Sequence, residues 1–232
     1  MRCALLFTLL PIFALSREVR LLRLEGPDNL PNRLFVIGTG IESELDLPLL
    51  STSTRRVSIG KEACTLYLAK DKPTPKQPLP TDAPVVQIPA GEDDLLLVLL
   101  TGSGSLGIRA TPVALPDARG AGGALLWFNL QPRTLYVRLG NAAPVAVPSG
   151  ASRVTLPPVA PDVAYPARLD LDPVERGQDI QPFVRATWVR AKYGRHLSFV
   201  VVDPDRVVPR IISVPDIEAP PEPTVLAPGA KK

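Results

Sequence analysis

The sequence predicts an all-β protein of two tandem antiparallel β-sandwich domains, immunoglobulin-like in type and related by an internal duplication. Three observations carry that reading. The chain holds 28 prolines and 16 glycines in 232 residues, and proline interrupts helix interiors while collecting at turns, strand ends and sheet edges. Short apolar runs recur at roughly ten-residue spacing, each closed by Gly, Pro or a charged turn, as in sandwiches and barrels. Residues 122–140, GGALLWFNLQPRTLYVRLG, read as strand, break, strand, and RLFVIGTGIESELDLP at residues 33–48 repeats the apolar pattern with Leu34 set over Leu126.

Taken in order, EVRLLRLEG from Glu18 alternates and places Val19, Leu21 and Leu24 inward. GPDNLPN is a turn by composition, and RLFVIG, SELDLP, RRVSIG and ACTLYLA follow as four short strands. Residues 71–84, DKPTPKQPLPTDAP, carry five prolines and form an extended surface loop. PVVQIPA and DDLLLVLLTG are two further strands; Leu95 to Leu100 is unbroken and apolar, the signature of a strand buried on both faces. SLGIRATPVAL closes the first half. PDARGAGG at 116–123 reads as a linker, after which LLWFNL, TLYVRLG, APVAVP, SRVTLPP, ARLDLD, FVRATWV, LSFVVVD and VPRIISVP begin the pattern again.

Two more echoes support the duplication: RRVSI at 55–59 against SRVTL at 152–156, and LLLVLLT at 95–101 against LSFVVVD at 197–203. The expected organisation is a signal peptide at 1–16, one sandwich at 17–115, a second at 116–217, and a proline-rich disordered tail at 218–232.

The signal peptide rests on Arg2, the uncharged run CALLFTLLPIFAL and the ending Ala14-Leu15-Ser16. Thirteen residues make a helix of roughly 20 Å, short of a bilayer's hydrocarbon core. The chain is therefore expected to be exported to the periplasm or cell envelope and not to span the membrane. Loss of Cys3 with the signal leaves Cys64 alone, so no internal disulfide can form. Cys64 alternates with Leu66 and Leu68 and reads as a buried, inert thiol.

Charge and chemistry exclude several classes. The formal charge of +3 is close to balanced and makes no basic stripe for nucleic acid. His196 is the only histidine, far from Cys64, so neither a nucleophile–base pair nor a zinc site is indicated. GSGSLG at 102–107 lacks the spacing of a nucleophile elbow or phosphate loop and reads as a turn. Asp170 and Asp172 alternate with Leu169 and Leu171 and are expected to face solvent. No cofactor and no metal is expected.

One segment differs from its surroundings. RATWVRAKYGRH at 185–196 gathers cations and aromatics without an acid. If FVRATWV and LSFVVVD form a hairpin, Trp188, Arg190, Lys192, Tyr193 and Arg195 surround its tip and could grip a sugar, an anionic polymer or a partner's carboxylates. The opposing reading turns Trp188 into the core and leaves the arginines to keep an edge strand soluble.

The signal peptide together with DAPVVQIPA, DDLLLVLL, LLWFNLQPRTLYVRLG, PSGASRVTLPP and PFVRATW resembles a class of exported bacterial β-sandwich proteins without assigned activity. A weaker similarity is to two-domain immunoglobulin-like periplasmic chaperones, whose cleft motif finds no residue-by-residue match. The resulting expectation is a non-catalytic binding or structural protein acting on a protein or envelope polymer. Its rivals are an assembly chaperone that completes a partner's sheet through an edge strand, and a glycan-binding module or carboxylate-dependent glycoside hydrolase.

Overall fold

A computed structural model describes residues 16–91, 93–116, 122–172, 182–202 and 208–216. The signal segment before Ser16, most of the linker and the C-terminal tail lie outside these residues. The chain divides into two compact units between Leu115 and Pro116, and the described residues are all-β.

The first unit contains β1 (Ser16–Arg23), β2 (Arg33–Gly38), β3 (Ile41–Asp46), β4 (Val57–Gly60), β5 (Cys64–Ala69), β6 (Val85–Ile88), β7 (Asp94–Thr101) and β8 (Ile108–Leu115). The second contains β9 (Ala124–Asn129), β10 (Leu135–Leu139), β11 (Val145–Val147), β12 (Ser152–Thr155), β13 (Ala164–Leu171), β14 (Pro182–Val189), β15 (Arg195–Val201) and β16 (Arg210–Asp216).

Each unit is a sandwich of two four-stranded sheets. In the first, β4-β1-β7-β8 faces β3-β2-β5-β6; in the second, β12-β9-β15-β16 faces β11-β10-β13-β14. Strand for strand these are the same topology, and both cores draw on both of their sheets. Val19, Leu21, Leu34, Val36, Leu66, Leu68, Leu97 and Leu99 meet in the first core, and Leu125, Trp127, Leu135, Val137, Ala167, Leu169 and Val200 in the second. Cys64 packs half-buried against the first core.

Three expectations are corrected. The sheets are not purely antiparallel, because β1 pairs parallel with β7 and β9 parallel with β15. The opening echo set β2 over β9, whereas shared topology equates β2 with β10. The other two echoes choose the right strands, β4 with β12 and β7 with β15, but each is one residue out of step. Val57 lies inward on β4, and on β12 the inward residue is Thr155, not the half-exposed Val154 of the echo. A one-residue slip exchanges the faces of a strand.

The continuous apolar runs behave as expected. β7 is buried from Leu95 to Leu100, and every residue of β9 is buried. On β9 the side opposite Trp127 carries Phe128, which stacks at 4.7 Å on Phe199, its neighbour in the parallel register with β15. Strands buried on both faces lose the alternation that would mark which side is inward.

Candidate binding surface of the second unit

Segment 185–196 does not form a hairpin. β14 belongs to the sheet β11-β10-β13-β14 and β15 to the facing sheet, so residues 190–194 cross from one layer to the other. That crossing separates the side chains that the sequence places together. Trp188 turns inward, packs against the core and stacks on Trp127 at 6.0 Å with an interplanar angle of 18°. Trp127 in turn donates from Nε1 to Thr155 Oγ1 at 2.8 Å.

Arg190 is half-buried and its guanidinium is engaged. Nε and one terminal nitrogen donate to Gly122 O at 3.1 and 2.9 Å, and the other terminal nitrogen donates to Val159 O at 2.6 Å. It thereby ties the end of β14 to the start of β9 and to the loop after β12. Gly122 and Gly123 make this approach sterically workable. A Cβ on Gly122 would lie 2.3 Å from Lys192 O, and Gly123 has φ +76° with Ala191 O 2.5 Å from where its Cβ would be.

The first unit does the same job from a different strand. Arg17, on β1, is buried and donates to Gly60 O, Glu62 O and Pro89 O, the carbonyls at the ends of β4 and β6. One arginine therefore staples the same three strand ends in each unit, donated from β1 in one case and from beyond β14 in the other.

Arg195 is also interior. Its side chain pairs with Asp216 at 2.8 Å, Nε to Oδ2, and donates to Pro116 O at 2.8 Å. Only Lys192 and Tyr193 project into solvent. Tyr193 is 72% exposed, with Lys192 Nζ 5.2 Å from its ring centroid. Of the five candidate residues, the crossing leaves two on the surface and engages three in holding the sandwich together.

A denser cationic feature lies on the outer face of β11-β10-β13-β14. Arg138 on β10 stands opposite Arg168 on β13, and Arg168 opposite Arg185 on β14. The three arginines form one row across three adjacent strands. Arg168 donates from Nε to both carboxylate oxygens of Asp170 at 3.0 Å. This covers Asp170, which is 6% exposed and not solvent-facing as the alternation suggests. Arg138 and Arg185 are exposed and have no hydrogen-bond or ion-pair partner among the described residues. Beside the row, Tyr136 shares the face, and a hydrogen bond to Asp172 raises its phenol above its ordinary value.

No protein-family model and no curated protein matches the chain. Its own two units thus supply the comparison. The matching row of the first unit is Ile37, Tyr67 and Val85, on β2, β5 and β6. Those residues stand 101, 101 and 100 positions before the three arginines. Their row is apolar, with Tyr67 and Val85 both exposed, and it is bordered on β3 by Glu42 and Glu44, which pair with Lys72, Arg33 and Arg55. The same scaffold presents opposite chemistry on equivalent faces.

Sequence reasoning misses the arginine row because its members are dispersed through YVRLG, PARLDLD and FVRATW. A signal was present: in each segment a single Arg occupies an outward position between inward apolar neighbours.

Proposed function

We propose that the chain is an exported, non-catalytic binding protein of the cell envelope, and that it binds through the outer face of β11-β10-β13-β14. The observation that carries this reading is the contrast between Arg138-Arg168-Arg185 and Ile37-Tyr67-Val85 on one repeated scaffold. Inward positions answer to packing in both units, whereas a row of like charges directly across strands works against the fold. A sheet whose interior arginines are compensated, and whose outer Arg138 and Arg185 have no partner among the described residues, is suited to holding an anionic partner. Export is supported by the apolar run that precedes Ser16, and no helix among the described residues is long and apolar enough to cross a membrane.

Co-sedimentation with isolated envelope fragments tests the reading. The double variant R138S/R185S should lose retention, while I37S/Y67S should keep it. Equal retention of both variants would remove the face from consideration. For export, N-terminal sequencing of secreted material should begin at Arg17.

The chaperone reading draws on β14, an eight-residue edge strand whose only proline is its first residue and whose only charge is Arg185. Pro166, opposite Thr187, has no N–H and turns its carbonyl to Gly140 N at 2.7 Å, away from β14. The Pro166–Thr187 pair is therefore non-bonded, and Arg185, Thr187 and Val189 direct their backbone N–H and C=O groups outward. Thr187→Pro should leave the β13–β14 ladder intact while removing the central edge donor. Partner binding unchanged by this variant would argue against strand addition.

A further inference from the structure

We infer that the arginine row receives a linear acidic polysaccharide lying across the strands, with every second carboxylate turned to the face and held by Arg138 and Arg185, Arg168 lying between them. This rests on the proposed binding face and names its ligand class.

Direction is the first argument. Neighbouring strands lie about 4.8 Å apart, so the row spans two such steps at right angles to the strands. A peptide added to the β14 edge runs along the strands and draws level with Arg185 alone; Arg138 stays two strands away. A peptide laid flat on the face does no better, because its same-side residues repeat at about 6.6 Å, out of step with the row. In an extended twofold chain of pyranose acids successive sugars turn over, so carboxylates on one side recur every second sugar, at a distance close to two strand spacings, and meet Arg138 and Arg185.

The second argument is charge. Arg168 is oriented by Asp170 through Nε alone, which leaves its terminal nitrogens without a partner among the described residues. Arg138 and Arg185 flank it without described partners. Guanidinium groups take carboxylates through paired N–H donors, a geometry an ammonium cannot offer. Asp170 and Asp172 lie on one side of the row and repel a polyanion, which sets the ligand toward the Pro166–Thr187 side.

The test uses the secreted full chain in low-salt affinity electrophoresis with polygalacturonate, poly-glutamate and neutral dextran. Polygalacturonate should bind, dextran should not, and R138S/R185S should weaken polygalacturonate binding about tenfold or more. K70S/K76S removes two exposed lysines of the first unit and should leave affinity unchanged. Equal weakening by K70S/K76S would reduce the effect to net charge and overturn the inference. Poly-glutamate bound as tightly as polygalacturonate would make the partner an acidic protein segment and overturn it as well. Absence of polygalacturonate binding, with envelope retention still lost in R138S/R185S, would refute the polysaccharide while the binding face stands.

Discussion

The two units solve one structural problem alike and then diverge at their surfaces. At the end of each sandwich where the first, fourth and sixth strands finish or begin, a guanidinium collects carbonyls, from Arg17 in the first unit and Arg190 in the second. The strand that supplies the arginine has changed, and with it one set of carbonyls, Pro89 O beyond β6 giving way to Gly122 O before β9, but the three strand ends that are joined have not. On the outer faces the reverse holds: the strands correspond, and the side chains change from apolar to cationic. What packing requires is met twice by different residues, whereas the face is released from packing and differs in kind.

The sharpest asymmetry is in the core. Leu21 of β1 corresponds to Trp127 of β9, and Trp127 adds a hydrogen bond to Thr155 and a stack on Trp188. Trp127→Ala should therefore cost about 3–5 kcal/mol, toward the upper end because Thr155 Oγ1 loses its indole donor. Leu21→Ala should cost about 2–4 kcal/mol. Urea denaturation followed by circular dichroism measures both. A Trp127→Ala cost below that of Leu21→Ala would mean that the Trp127–Trp188–Thr155 arrangement adds nothing to burial.

Next in size are the two staples. Arg17 is 2% exposed, so Arg17→Met leaves carbonyls unpaired where water enters poorly, a loss of about 3 kcal/mol. Arg190 is only half-buried, and water can replace its donors, so Arg190→Met should cost about 1 kcal/mol. The same urea titrations decide it; equal costs would show that the two guanidinium groups sit in equivalent surroundings after all. Removing Arg190 should also bring the Tyr165 phenol higher. Burial already raises it, and the Arg190 charge is the opposing influence.

These pairings show how far the sequence reaches. Sandwich class, the Pro-rich loop and the fully buried β7 are legible because proline placement and apolar run length depend on local chemistry. Register is not legible: a period-two pattern looks the same after a shift of two residues, and runs such as LLLVLL carry no alternation to separate inward from outward. That is why the echo of β7 finds the right strand with its faces exchanged; the echo of β4 does so because it follows a shared Arg-Val pair, Arg56-Val57 and Arg153-Val154, and not the inward positions. Segment 185–196 stands out by composition, yet the partners of Arg190 are carbonyls at Gly122 and Val159, 68 and 31 residues away, and composition cannot announce them. The arginine row fails for the complementary reason, since its members are neighbours only through pairing.

A smaller effect separates the turns that lead into β4 and β12. In the first unit Asp46 accepts from Thr54 N and Arg55 N at 2.9 and 3.0 Å and from Thr54 Oγ1 at 3.1 Å. Burial alone would raise its carboxyl, but these hydrogen bonds outweigh it and hold the group below its ordinary value of 3.8. In the second unit the corresponding turn closes through backbone groups, with Ala151 N on Pro148 O and Gly150 N on Asn129 O, and nothing there titrates. Because the folded value is lowered, the contribution of Asp46 is fully present above pH 3.8 and is lost as pH falls through the folded value. Asp46→Asn should cost about 1 kcal/mol at neutral pH. The gap between wild type and variant should close on acidification below that range, and a gap that persists would show that the hydrogen bonds do not depend on ionisation.

The smallest expected change has the opposite sign, and it bears most directly on the faces. Cross-strand like charges are unfavourable by a few tenths of a kcal/mol to about 1 kcal/mol, and Arg168 has a compensating Asp170 where Arg138 and Arg185 have none described. Arg138→Ser should thus leave stability unchanged or raise it by about 0.5 kcal/mol, with the larger gain at low ionic strength, where screening is weakest. Ile37→Ser, at the equivalent position of the first unit's sheet, loses apolar cross-strand contact with Tyr67 and should be mildly destabilising. Paired melts at low and high salt distinguish the two. If Arg138→Ser were destabilising at both, the row would be serving the fold, and the contrast between the faces would cease to point to a ligand.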